Sequence, residues 1–242
     1  MRSFVKCLEV GDYQDIREGV DVVHQAVITL SPKIGGRFAL PHPHRWWEYG
    51  SAVQALLSMY QERLGQNGMK VLDVGSGWSP LGPALAYAFN LKVTEVEPEF
   101  QSRSARAYCN AALRGMNKPE LTVLDGGVET LPDEKYEAVF CISVLEHVNP
   151  KTEIQGWRNL AERVKPGGLF FMTTDIVPDP NGHYTFDEQR AQNYTLDVLA
   201  KRVDMLIEMG FTPMGHPDYT FRKSEVYDYS FFRCGMWKTG RT

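Results

Sequence analysis

The 242-residue sequence predicts an α/β fold in which a mostly parallel sheet carries helices on both faces. Three observations point there. From residue 69 onward, short apolar runs alternate with stretches of helical periodicity. The apolar runs are nearly continuous, as expected of strands buried on both faces, and glycine or proline punctuates their junctions with the helices.

The first unit is MKVLDVG, a buried strand ending in Gly75-Ser76-Gly77, where a tight turn is needed. Leu81 to Phe89 supplies the next helix, with Pro80 and Pro83 near its start, where a missing N–H does little harm. LKVTEVE is a second strand, Pro98 to Leu113 a helix, and LTVLD a third strand. YEAVFCIS reads as a fourth strand and Thr152 to Val164 as a helix stopped by Pro166-Gly167-Gly168, through which the chain enters a fifth strand, GGLFFMTTD. Thr195 is placed to N-cap a helix running to about Met209, with Gly210 at its C′ position. The aromatic segment from about Tyr219 to Trp237 suits a pair of terminal strands, which makes the sheet seven-stranded. Residues 1–68 precede the first of these strands and do not share their pattern. They are expected to form a cap or extension of the same domain, with a helix from about Trp46 to Leu64, and residues 69–242 the main body.

Composition narrows the class. A hydrophobic content of 43% with 23% charged residues describes an ordinary globular chain. The net charge of -4 supplies no overall positive field for a polyphosphate, which speaks against nucleic acid as a partner. No apolar stretch approaches the roughly 18 residues of a membrane span, the N-terminus lacks the apolar core of a secretory signal, and a cytoplasmic protein is expected. Cys7, Cys109, Cys141 and Cys234 are scattered and read as reduced thiols rather than as a zinc site or disulfide framework.

In open parallel sheets, ligands bind beyond the carboxyl ends of the strands. Asp73 to Gly77 ends the first strand: the glycines let backbone approach a ligand, and the following helix offers free N–H groups. Glu97 ends the second, about 22 residues after Gly75, close to the ~20 at which an acid bridges ribose hydroxyls. Glu95 is the alternative acid if that strand ends earlier. Together they describe an adenosine site. The dinucleotide pattern GxGxxG is broken by Pro80 at its third glycine, and no GxxxxGK[ST] loop exists, so neither NAD nor a nucleoside triphosphate is favoured.

In order, VLDVGSGWSP, VTEVEPE, ETLP, SVLEHV and KPGGLFF resemble the motifs of class I, Rossmann-like S-adenosylmethionine-dependent methyltransferases. The likeness covers residues 69–175, and Trp47-Glu48-Tyr49 adds a resemblance to small-molecule, "type 11"-like members. The resemblance implies S-adenosyl-L-methionine as cofactor and S-adenosyl-L-homocysteine as product. It implies that Gly75, Ser76 and Gly77 border the methionine part, that Asp73 orients their loop, and that Glu97 accepts from the ribose hydroxyls. The acid that contacts adenine in relatives falls here at Gly127, with Asp125 two residues earlier as the candidate. Ser143 lies where relatives approach the cofactor with backbone atoms, and Val144 beside it.

The chemistry implied is in-line displacement of a methyl group by an O, N or C nucleophile of a small-molecule acceptor. His147, just past the fourth strand, is the candidate general base, against a structural role for the same imidazole. Trp46 and Trp47, in a cluster with His42 and His44, either line an acceptor pocket or fasten the extension to the body. Tyr184, His183 and Tyr194 fall after the fifth strand, where a lid over the acceptor is expected. No Asp/His cluster suggests a metal, so transfer is expected to be metal-independent. The competing readings are a protein or RNA methyltransferase that docks through residues 1–68, and a cofactor-binding regulatory subunit without an acceptor site.

Overall fold

The computed structural model describes residues 5–7, 15–33, 38, 43–60, 68–179, 181, 193–215 and 230–239. Its strands are β1 (Val5–Cys7), β2 (Lys70–Val74), β3 (Lys92–Val96), β4 (Thr122–Leu124), β5 (Tyr136–Ile142), β6 (Val164–Ile176), β7 (Phe211–Pro213) and β8 (Ser230–Lys238). They run in the order β1-β8-β6-β5-β2-β3-β4, with β7 also paired to β8. The pairs from β4 across to β6 are parallel, and the three pairs that β8 makes are antiparallel. Seven strands were anticipated; β1, from the extension, is the eighth.

Strand alternation sorts the core into two faces. Val71, Val93, Phe140, Ile142, Leu169 and Phe171 join one buried cluster with helices α1 (Arg17–Leu30), α2 (Pro43–Tyr60), α3 (Leu81–Phe89) and α4 (Phe100–Gly115). Leu72, Val74, Val139, Cys141, Phe170 and Met172 join the other with α5 (Glu153–Glu162) and α6 (Leu196–Glu208). The N-terminal helices thus pack into the same core as the sheet. A Cβ added at Gly19 would lie 2.1 Å from the Gly50 carbonyl oxygen, so only glycine there lets α1 press this closely on α2. The Tyr60 hydroxyl at the end of α2 donates to the Glu137 carbonyl at 2.8 Å, with the Gly167 carbonyl at 2.9 Å as its alternative acceptor.

Most elements lie where the pattern puts them; α3 coincides with the anticipated Leu81 to Phe89. Thr195 caps α6, its hydroxyl accepting from the Val198 N–H at 3.4 Å, and Gly210 follows with φ +89°. Two expectations are corrected. The Pro166-Gly167-Gly168 step does not stop a helix: α5 ends at Glu162, and β6 has begun at Val164. Val164 pairs with Tyr136 and Leu169 with Ala138, so residues 165–168 bulge out of the ladder, with Gly167 at φ +73°. The terminal strand pair is β7 and β8, and β7 forms directly after Gly210, ahead of the aromatic segment. Residues 219–229 of that segment, and Tyr184, His183 and His42, lie outside the described residues. Cys109, Cys141 and Cys234 are buried free thiols, which burial pushes above the usual range.

Candidate active site

Strand order reverses between β2 and β5: from β2 the chain moves outward to β3 and β4, then returns to the other side of β2. A crevice opens beyond the carboxyl ends there. The turn after β2 is held by the Gly75 N–H, which donates to the Val96 carbonyl at 2.7 Å, and by the Ser79 N–H, which donates to Ser76 at 2.8 Å. Gly75 has φ +69° and Gly77 φ +46°. A Cβ at Gly75 would sit 2.3 Å from Val144 Cγ2, whereas beside Gly77 the nearest atom is 4.0 Å away. The turn is therefore packed on one side and open on the other.

Glu97, at the tip of β3, is buried and braces this turn. Its Oε2 accepts from the Gly77 N–H at 2.7 Å and its Oε1 from the Glu99 N–H at 2.9 Å. A carboxylate has about four lone-pair sites, so two remain for ligand hydroxyls. Gly75, Glu97, Gly127, Ser143, Val144 and His147 are among the residues lining a cleft of about 350 Å³. That volume suits a small-molecule ligand. Hollows of about 560 and 660 Å³ lie beside α1 and at the amino end of β3, but they lack both the glycine turn and the acid at a strand tip. The cleft and the turn beside it fit an adenosine cofactor: a braced acid at Glu97 and apolar walls from Val128 and Val144 line the cleft, and the backbone at Gly77, bonded to Glu97, is open.

Beneath the turn lies a buried charge cluster. Asp73 on β2 sits opposite Glu95 on β3, and Arg106 from α4 donates through Nε to Glu95 Oε2 at 2.6 Å. Arg106 Nη2 also reaches the Ser76 carbonyl at 3.4 Å. Among the described residues, Asp73 Oδ2 has no hydrogen-bond partner. Burial, reinforced by Glu95, raises the Asp73 carboxyl well above the ordinary range; burial likewise raises Glu95, against the pull of Arg106. The two acids at the end of β3 are thus distinct. Glu97 reaches the cleft, and Glu95 belongs to the support below it.

A second cluster gathers at the tips of β5 and β6. Glu48, fully buried on α2, accepts from the hydroxyls of Ser143 and Thr173, the latter at 2.6 Å, and from Arg45 Nη1 at 2.9 Å. The adjacent Thr174 hydroxyl donates to Glu146 Oε2 at 3.0 Å, while Glu146 Oε1 has no hydrogen-bond partner among the described residues. Burial, with a smaller push from Asp175, lifts the Glu146 carboxyl to about 8. Sequence reasoning met Glu48 in Trp47-Glu48-Tyr49 and Glu146 in SVLEHV but gave neither of them, nor this threonine pair, a role. The available signal was a glutamate inside the otherwise buried run from Trp47 to Leu57, and two threonines at the end of an apolar strand.

The other anticipated residues are dispersed. His147 is exposed and lines the cleft from a short 3₁₀ turn (Leu145–His147). Asp125 is exposed, ion-paired with Arg103 at 2.7 Å, and is not among the cleft-lining residues; Gly127 is. Trp46 packs edge-on against His24, with ring centroids 5.7 Å apart. Trp47 is fully buried with Ile16, Val177 and Phe231, and the Arg233 guanidinium lies 5.2 Å from its ring centre. Tyr194 is buried beside α5: its hydroxyl donates to Glu153 Oε1 at 2.7 Å and accepts from Trp157 Nε1 at 3.3 Å. Trp47 and Tyr194 therefore sit in the core, and neither is among the residues lining the cleft. Among the described residues no group of His, Cys, Asp and Glu is arranged to hold a metal ion, and no helix is long and apolar enough to cross a membrane.

Comparison with known proteins agrees with this geometry. Residues 71–168 match the family model described as a methyltransferase domain. Over 168 residues the chain is 33% identical to a ubiquinone biosynthesis O-methyltransferase of Pseudomonas savastanoi pv. phaseolicola, spanning 65% of this chain and 68% of that protein. The fold is similar to that of magnesium protoporphyrin IX methyltransferase from Synechocystis PCC 6803 with bound SAM, with TM-score 0.55 and 16% identity over 96% of this chain and 99% of that one. It is also similar to Haemonchus contortus phosphoethanolamine N-methyltransferase 2 in complex with S-adenosyl-L-methionine, with TM-score 0.57 and 15% identity over 90% and 60% of the two chains. The chain belongs to the class I S-adenosylmethionine-dependent methyltransferases of the small-molecule type.

Proposed function

We propose that the enzyme methylates an oxygen of a small-molecule acceptor, with Glu97, Gly75, Ser76, Gly77 and Ser143 holding the cofactor and His147 facing the acceptor. The observation that carries this is the braced acid of Glu97 beside the open Gly77, in a cleft at the reversal of strand order. When bound, S-adenosylmethionine supplies a methyl group on a positively charged sulfur. Glu97 has lone pairs free for the ribose hydroxyls, and the Gly77 backbone leaves room for the amino-acid end. The cleft aligns the reactants and excludes water, effects that lower such barriers by roughly 7–11 kcal/mol when alignment is good. An imidazole nitrogen of His147 takes the proton of an acceptor hydroxyl, a contribution of about 10²–10⁴-fold. Asp125 acts through Arg103, which also donates to the Glu97 carbonyl at 2.8 Å.

Oxygen as the acceptor atom is supported by the name of the ubiquinone-biosynthesis relative. A small acceptor rather than nucleic acid is supported by the cleft lining, which holds Glu97, Glu129 and His147 but neither Lys nor Arg. Residues 1–68 and 69–242 act as one folding unit in this reading, supported by the core that α1 and α2 share with the sheet. The cytoplasm is its proposed location.

The test is transfer of isotopically labelled methyl to catechol and caffeic acid, run beside tRNA and a protein extract. Labelled phenol ether, reduced in His147→Ala, is the expected product; label in tRNA or protein with none in the phenols would overturn the small-molecule reading.

A further inference from the structure

We infer that Glu48, on the N-terminal helix α2, is a positioning residue for the cofactor cleft, setting the Ser143 turn that presses Val144 against the glycine turn. The inference rests on the cleft being the cofactor site. Ser143 is a non-glycine residue at φ +52°, in the left-handed region that an L-residue with a Cβ enters only at a cost. Two contacts hold it there. Its N–H donates to the Thr173 carbonyl at 3.0 Å, and its hydroxyl donates to Glu48. Glu48 in turn accepts from the Thr173 hydroxyl at 2.6 Å, so one carboxylate ties the tips of β5 and β6 together.

Glu48 has little freedom to do anything else. It is fully buried, and Arg45 fixes its other oxygen at 2.9 Å. A buried charge held by three donors is a rigid point of attachment. The consequence passes along the chain to the next residue. Val144 lies so close to Gly75 that a Cβ there would be 2.3 Å from Val144 Cγ2, and Ser143, Val144 and Gly75 all line the cleft. Glu97 braces the glycine turn from β3; Glu48 braces it from the opposite side, through Ser143 and Val144. The N-terminal extension thereby becomes part of the cofactor site without touching the ligand.

A purely structural staple would also bury Glu48, so the test must separate stability from binding. Binding of S-adenosylhomocysteine is measured by calorimetry on the wild type, Glu48→Gln, Ser143→Ala and the double variant, with melting temperature recorded for each. Ser143→Ala keeps a Cβ at this left-handed position, removes only the hydroxyl that donates to Glu48 and changes no residue of α2, so it carries the test even if Glu48→Gln does not fold. Both single variants are expected to weaken binding about tenfold, and the double variant no further than either, because they break one contact. In turnover, the same variants are expected to raise KM for S-adenosylmethionine more than they lower kcat. Wild-type affinity in folded Ser143→Ala would overturn the inference, as would independent, multiplying losses in the double variant. No binding by the wild type would instead remove the cofactor reading on which the inference stands.

Discussion

Two buried acidic clusters support the cleft, and they are built in opposite ways. Under the glycine turn, Asp73 and Glu95 face each other across adjacent parallel strands, and Arg106 comes from the helix that directly follows β3. At the tips of β5 and β6, Glu48 arrives from a helix ahead of the parallel strands and meets Ser143 and Thr173, 95 and 125 residues further along the chain. In the first cluster one cation neutralises one of two acids; in the second, Arg45 and two hydroxyls satisfy Glu48, while Glu146 has one oxygen with no partner among the described residues. The comparison shows two ways of holding a buried carboxylate: Glu95 by a cation from the next helix of its own βαβ unit, and Glu48 by a cation on its own helix together with hydroxyl donors recruited over a long distance. Each cluster offers its own point of attack: the Arg106–Glu95 ion pair in the first and the raised Glu146 carboxyl in the second.

The largest effect is expected where the ion pair is broken. Arg106→Met removes the one guanidinium seen to donate to Glu95 and leaves two acids buried together. A loss of about 3–5 kcal/mol in urea unfolding at neutral pH is expected, largely restored when Glu95→Gln is added. If Arg106→Met alone were as stable as the wild type, the pair would not be what holds the first cluster.

A smaller, pH-dependent effect is expected in the second cluster. The folded-state value of about 8 for Glu146 lies above the 4.5 of an unperturbed glutamate, so its contribution to stability is fully present below about pH 4.5 and is lost as pH rises through 8. Glu146→Gln keeps an acceptor for the Thr174 hydroxyl and cannot ionise. Its melting temperature is expected to match the wild type near pH 5 and exceed it at pH 9. A variant equally destabilised at both pH values would show that Glu146 does not titrate in this range.

The same contrast explains what could be read from the sequence. The glycine turn and Glu97 were legible because they are local: strand, turn, helix and the next strand tip follow one another within about 25 residues, and their spacing alone encodes the geometry. Glu48 was not, because its meaning depends on how α2 docks, and its partners are distant in the chain. The places of Trp47 and Tyr194 in the core were not legible for a related reason. Aromatic character signals burial as readily as ligand contact, and only the packed structure shows Trp47 under Arg233 and Tyr194 bound to Glu153. Gly167 misled at the level of the backbone, since a glycine that ends a helix and one that makes a bulge look alike in sequence.

The cofactor is proposed to bind in the cleft between β2, β3 and β5 through Glu97. Calorimetric titration of S-adenosylhomocysteine into the wild type and Glu97→Ala tests it most directly. Two hydrogen bonds to a charged acceptor, at roughly 1.5–3 kcal/mol each, predict micromolar binding in the wild type and a loss of about 100-fold or more in the variant. Equal affinity in the two folded proteins would place the ribose elsewhere and contradict the account.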